Sequence, residues 1–171
     1  MKNIILLIVV LIYISPLGFA QSKPAVNFSG AQEYPLYTQL EKALHKPHKV
    51  FRLDLSGKGL KSIPPETFLF PNLQELNLSQ NSITELPKEI KNLKNLKYLN
   101  LYKNKLQKLP PEIVELKKLE VLLVGKNRLE QLPSWFGALK NLIYLDISKN
   151  NFSSYEIEYL YESLPACSIH F

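Results

Sequence analysis

Between residues 50 and 152 the apolar positions of this chain recur on a fixed step of 23 residues. Leu73, Leu96, Leu119 and Leu142 head four copies, followed by Leu76, Leu99, Leu122 and Leu145. Below them fall Leu78, Leu101, Val124 and Ile147, then Asn81, Asn104, Asn127 and Asn150, then Ile83, Leu106, Leu129 and Phe152. Three copies continue into Leu-Pro, at Leu86-Pro87, Leu109-Pro110 and Leu132-Pro133. One step earlier lies a degenerate first copy: Val50, Leu53, Leu55, Leu60 and Ile63-Pro64, with Lys58 where Asn is expected. Side chains alternate along a strand, so Leu-x-x-Leu-x-Leu puts the leucines on one side and the intervening residues on the other. The pattern predicts five short parallel strands side by side, about 4.8 Å apart. The Asn column falls where the chain leaves each strand, and its amide can donate to and accept from backbone groups left unpaired there. Leu-Pro opens the return path, since proline fixes φ and needs no ladder partner. That path brings Ile90 and Leu93 back to the core. It is wider than a strand, so the stack should bend with its strands inside.

Both ends of such a stack need covering, because a terminal repeat cannot bury its outer side. Thr38 and Glu41 have capping-box spacing, and Tyr37, Leu40 and Leu44 fall on one face of a short helix that Pro47 stops. At the other end Ser153 and Glu156 have the same spacing, and Ile157, Leu160, Tyr161 and Leu164 recur at helical intervals. Pro165 ends that helix. Cys167, Ile169 and Phe171 then alternate with Ser168 and His170, which predicts a last strand beside that of the fifth repeat. Cys167 should point inward as a small apolar filler.

The repeated block resembles the leucine-rich repeat family in its 23-residue Leu-Pro form. The flanks look like those of small exported bacterial members, in Pro47-His48-Lys49-Val50-Phe51-Arg52-Leu53-Asp54-Leu55 and in the Leu-Pro-x-Cys-x-Ile-x-Phe segment from Leu164 to Phe171. The resemblance implies an α/β repeat solenoid. It would be a curved leucine-rich repeat stack with parallel strands on the concave face, a short N-terminal capping helix, and a C-terminal capping helix and strand. It also implies protein recognition through the inner, strand-lined face rather than catalysis, though a fold does not name a ligand.

The first residues change the expected compartment. Lys2, the apolar run Ile4 to Ile14, the break at Ser15-Pro16-Leu17-Gly18 and the small residues Gly18 and Ala20 read as a signal peptide cleaved before Gln21. The apolar run is well short of the ~20 residues that span a bilayer, so stable membrane insertion is not expected. The expected organisation is therefore a signal peptide (1–20), a flexible arm (21–37) and a leucine-rich repeat domain (38–171). Within the domain, caps at 38–49 and 153–171 flank repeats at 50–152. The product would be exported, to the periplasm, the cell surface or the medium.

Charge and chemistry narrow the partner. The net charge of +6 is spread over every repeat, and arginine, the usual reader of base edges, occurs only at Arg52 and Arg128, so nucleic acid is not expected. One cysteine excludes an internal disulfide. His45, His48 and His170 lie at opposite ends of a solenoid, so no metal site, and no cofactor, is expected. No phosphate loop or nucleophile–base set appears, and the repeats and caps leave no room for a catalytic domain.

The candidate contact residues come from the variable strand positions, read as rows across the repeats. The first row is Arg52, Glu75, Tyr98, Val121 and Tyr144, and the second Asp54, Asn77, Asn100, Leu123 and Asp146. The third is Ser56, Ser79, Tyr102, Gly125 and Ser148, and the fourth Gly57, Gln80, Lys103, Lys126 and Lys149. Tyr98, Tyr102, Val121, Leu123 and Tyr144 would form an aromatic and aliphatic patch on repeats three to five, bordered by Lys103, Lys126 and Lys149. Such a patch marks a contact surface. Its occupants in prospect are a protein partner, the N-terminal arm through Phe28 and Tyr34, or a second copy of the chain. A glycan stacked on Tyr98, Tyr102 and Tyr144 beside Asn100 and Asp146 is the alternative, with an adhesive role at the envelope. Recognition on the convex side is a further one.

Overall fold

The computed structural model describes residues 33–133 and 135–171. The expected signal peptide and the arm up to residue 32, Phe28 included, lie outside the described residues. In chain order the elements are β1 (Leu36–Tyr37), α1 (Leu40–Leu44), β2 (Arg52–Asp54), β3 (Glu75–Asn77), β4 (Tyr98–Asn100), β5 (Val121–Leu123), β6 (Tyr144–Asp146), α2 (Ser154–Ser163) and β7 (Ser168–His170). The described strands pair in sequence order, all parallel, in one open, curved sheet: a repeat solenoid.

Strand register follows the sequence columns. Leu53, Leu76, Leu99, Leu122 and Leu145 are laterally aligned partners, and all are buried. Each return path makes a single 3-10 turn, at Pro65–Leu69, Lys88–Asn92, Pro111–Glu115 and Phe136–Ala138. These turns deliver two more buried columns: Thr67, Ile90, Ile113 and Phe136, and then Phe70, Leu93, Leu116 and Leu139. A 3-10 turn is wider than a strand, so stacking both keeps the strands on the inner arc. Removing any of the apolar side chains among these from water contributes about 1.5–3 kcal/mol.

The Asn column forms the expected ladder. The Asn127 Nδ2 donates to the carbonyls of Leu101 at 2.9 Å and Val124 at 2.8 Å, and its Oδ1 accepts from the Leu106 N–H at 3.0 Å. Asn81, Asn104 and Asn150 make the same bonds in their own repeats. Each amide thus ties its own turn to the preceding repeat.

The C-terminal cap matches expectation in outline. The Ser153 Oγ accepts from the Glu156 N–H at 3.3 Å, Leu160 and Leu164 are buried, and β7 pairs with β6. Cys167 packs partly buried against the core, and burial pushes its thiol up to about 11. Tyr161 departs from the predicted face: it is exposed and meets Phe171 at 5.4 Å.

The N-terminal cap requires three corrections. The arm does not extend to residue 37 as a loop, because Leu36 and Tyr37 pair with Arg52 and Leu53 as an edge strand. That pairing holds the chain extended past Thr38. Helix α1 therefore starts later, with Gln39 at its N-cap and no side-chain hydrogen bond, so the Thr38–Glu41 capping box does not form. The buried residue of α1 is Ala43, while Leu44 is exposed.

Candidate concave binding face

The rows read from the sequence are the rows of the sheet. Arg52, Glu75, Tyr98, Val121 and Tyr144 are successive partners, as are Asp54, Asn77, Asn100, Leu123 and Asp146. The first two repeats close on themselves. The Arg52 Nε donates to a Glu75 carboxylate oxygen at 2.7 Å, and Asn77 Nδ2 donates to Asp54 at 3.0 Å. Tyr34 stacks on Phe51 with ring centroids 3.9 Å apart, which places it on the first repeat rather than over the patch.

From β4 onward the face changes. Tyr98, Tyr102 and Tyr144 are half-buried, with part of each ring at the surface. Burial pushes the Tyr98 hydroxyl up to about 12, with a hydrogen bond from Asn100 opposing the shift and the charges of Glu75 and Asp54 adding to it. Burial also raises Tyr144, and the Asp146 carboxylate adds to this. Val121 and Leu123 do not stand where the patch required them. They are 0% and 5% exposed, yet Val121 and Leu123 are outside the main core cluster. Their register explains this, since Val121 lies between Tyr98 and Tyr144 and Leu123 between Asn100 and Asp146. At about 4.8 Å per strand, the two larger tyrosines cover Val121, while Asn100 and Asp146 flank Leu123. The two residues therefore offer almost no contact surface of their own.

The second row has a role that the sequence reading missed. Asp54, Asn77, Asn100 and Asp146 each accept, through Oδ1, the N–H two residues on, at Ser56, Ser79, Tyr102 and Ser148, at 2.8–3.1 Å. These side chains finish the strand ends, as Asp and Asn do in turns. Asn-x-Ser and Asp-x-Ser spacing was the available signal. Repeat four has Leu123 and cannot make this bond. There Gly125 leaves room for its neighbour: a Cβ at Gly125 would lie 2.7 Å from an Asp146 carboxylate oxygen.

The lysine row is set by backbone geometry. Lys103, Lys126 and Lys149 have φ of 57°, 53° and 54°, in line with Gly57 at 64° and Gln80 at 58°. The left-handed turn lets the N–H of Lys103 reach the Gly125 carbonyl of the next repeat at 2.9 Å, and that of Lys126 reach the Ser148 carbonyl at 2.8 Å. The Lys126 ammonium lies 5.3 Å from the Tyr102 ring centroid, a cation–π distance. Site residues Tyr98, Tyr102, Tyr144, Lys103, Lys126 and Lys149 are thus brought together on three adjacent strands. Sequence reading also passed over a cleft at the C-terminal end, where Trp135 interrupts the column Glu66, Glu89 and Glu112.

Among the described residues no helix is long and apolar enough to cross a membrane, and no group of three His, Cys, Asp or Glu could hold a metal ion. Residues 88–164 match a family model described as a leucine-rich repeat region, and residues 48–106 match one described as leucine rich repeat. No curated protein matches the chain. Among solved structures it is similar to a leucine-rich repeat protein of Leptospira interrogans, with 41% identity over 81% of this chain and a TM-score of 0.73. It is also similar to TLR13 in the TLR13–ssRNA13 complex, with 28% identity over 78% of this chain and a TM-score of 0.65. PEPR1 with AtPEP1 shares 36% identity over 63%, with a TM-score of 0.55. This chain spans 35%, 20% and 15% of the lengths of those three chains.

Proposed function

The chain belongs to the leucine-rich repeat family, and we propose that it is an exported, non-catalytic module that binds a protein partner through the concave face of repeats three to five. Family members are generally non-catalytic binding repeats. The observation that carries the finer reading is the placement of Tyr98 and Tyr102 on repeat three and Tyr144 on repeat five, either side of β5, with Lys103, Lys126 and Lys149 alongside. The polar side chains of repeats one and two are consumed by an ion pair and by turns, whereas these rings keep surface to offer. Tyrosine brings large rigid area at low entropic cost and is enriched at protein interfaces. The lysines at the rim would govern association rate and salt dependence. Of the two neighbours solved with a ligand, TLR13 holds ssRNA13 and PEPR1 is with AtPEP1. For this chain a protein is favoured, because the lysines border the rings and arginine is absent from the patch.

The test is a cross-linking pull-down from an envelope extract with the wild-type chain and a Tyr98→Ser, Tyr102→Ser, Tyr144→Ser variant. The wild type should capture a protein that the variant loses, with the melting temperature of a Tyr144→Ala single variant little changed. Truncating one aromatic anchor should weaken capture about 30-fold, the equivalent of ~2 kcal/mol. Full retention of every partner by the triple variant would move the contact surface elsewhere. Capture of nucleic acid that is abolished by nuclease would replace the protein reading. Export is tested by N-terminal sequencing of protein from the native host, which should begin at Gln21.

A further inference from the structure

A second concavity, of about 450 Å³, opens between the return loops of repeats three and four and the first turns of α2. It shares no residue with the tyrosine and lysine rows. Trp135 and Tyr155 provide apolar walls, and Tyr159 follows one helical turn after Tyr155. Lys108, Gln131 and Glu156 add polar groups to the same lining. Trp135 is 51% exposed and Tyr155 75%, although side chains of this size normally bury most of their surface. The indole is not loose: its Nε1 donates to the Pro111 carbonyl at 3.4 Å, a long bond that still orients the ring. Trp135 also stands where the three preceding repeats carry glutamate, so the ring belongs to this cleft and not to the repeat pattern.

The lining specifies the chemistry of an occupant. Two exposed ring faces call for a flat apolar surface. Lys108 can only donate hydrogen bonds, an ionised Glu156 can only accept them, and Gln131 does both. Among the described residues none of these three side chains is engaged in a hydrogen bond or ion pair. A proline-rich strand offers ring faces and carbonyl acceptors, but a proline has no N–H to give to Glu156. An aliphatic ligand would desolvate all three polar groups without replacement. An anion would face the Glu156 carboxylate. A sugar ring meets every requirement, with C–H faces for stacking and hydroxyls that both donate and accept. The volume falls within the range of small-ligand sites and suits one or two rings. We infer that this cleft is a binding site for a neutral saccharide, separate from the concave face and independent of what binds there.

Trp135 is the only tryptophan in the chain, so its intrinsic emission reports on the cleft without a label. The full chain is titrated with cellobiose, maltose and N,N′-diacetylchitobiose to about 10 mM, well above the ~1 mM dissociation constant of a weak site. At least one sugar should change the emission saturably. Tyr155→Ala and Glu156→Gln should each weaken that response by about tenfold or more at an unchanged melting temperature, since a tenfold loss is the scale of one stacking or hydrogen-bond contact. The Tyr98, Tyr102, Tyr144 triple variant should respond like wild type. The inference is overturned if none of the three sugars gives a saturable change, or if both cleft variants respond as wild type does. It is likewise overturned if the triple variant loses the response, or if a proline decamer produces it and the sugars do not.

Discussion

Replacing Thr67 by valine is expected to stabilise this protein. Thr67 stands in the column occupied by Ile90, Ile113 and Phe136 in the following repeats, and like them it is fully buried. Its backbone N–H donates to the Pro64 carbonyl at 3.0 Å, but its Oγ1 has no hydrogen-bond partner. A buried polar group without a partner costs about 1–3 kcal/mol. Valine keeps the β-branched shape and places a methyl group where the hydroxyl was, so burial of that methyl adds on the order of 0.8 kcal/mol. The two effects overlap, because both count the same atom leaving water, and a net gain of about 1–3 kcal/mol is expected. In urea, with a slope of about 2 kcal/mol/M, the midpoint should rise by roughly 0.5–1.5 M. Thr67→Ser is the control. It keeps the hydroxyl, loses the methyl, and should lower the midpoint. An unchanged or lower midpoint for Thr67→Val at the same slope would refute the reasoning, and would mean that the hydroxyl finds a partner in solution.

Three further outcomes test the repeat architecture. Asn127→Ala should cost about 1–3 kcal/mol in denaturant melts, because it leaves the Leu106 N–H buried without a partner, while the Leu101 and Val124 carbonyls keep the amides of Asn104 and Asn150. A loss below ~1 kcal/mol would mean that water enters the turn. Leu99→Ala should cost roughly 2–5 kcal/mol through the cavity it leaves, and half-buried Tyr98→Ala less, about 1–2 kcal/mol. Equal losses would reverse the assignment of faces. The third outcome concerns pH. Burial pushes the Tyr98 hydroxyl to about 12 from an ordinary 10.0, so above pH 10 the unfolded chain gives up a proton that the folded chain keeps. The contribution is complete below pH 10 and is lost as pH rises towards 12. Melting temperature should therefore fall less steeply across that window in Tyr98→Phe than in wild type, and identical slopes would refute it.

The repeat was legible in the sequence because its columns are mutually constraining. A slip of one residue at Leu76 or Leu99 would turn every core leucine towards water, so only one register buries them all. The Asn ladder was legible for a related reason: the residue type and its place at the strand end leave few other uses for a buried amide. The caps were less legible. Thr38 and Glu41 have capping-box spacing, yet the pairing of Tyr37 with Leu53 keeps the chain extended and delays the helix. No local pattern reports a strand that short, since its partner β2 lies beyond α1. Val121 was misplaced because alternation gives the side a residue faces and not how large its neighbours are. Tyr98 and Tyr144 lie beside Val121 only after the sheet is assembled.

The lysine row separates what the fold dictates from what it leaves open. Its left-handed φ was signalled by Gly57 at the head of the column, because glycine alone adopts that region without cost. Lys103, Lys126 and Lys149 hold the same conformation at a cost of roughly 1–2 kcal/mol each. They also set like charges on neighbouring strands, which is unfavourable in itself. Glycine would satisfy the backbone, and the Gln80 of the second repeat would satisfy it without charge. Apart from the contact of Lys126 with the Tyr102 ring, the three lysines have no explanation in stability, and what they supply lies in their ammonium groups. Lys126→Gly isolates that contribution, because the substitution suits the backbone while removing the charge. If the row serves association, this variant should melt within about 1 kcal/mol of wild type and yet bind the partner with a flatter salt dependence. A variant that binds with the wild-type salt dependence would show that the row is only a solvated edge.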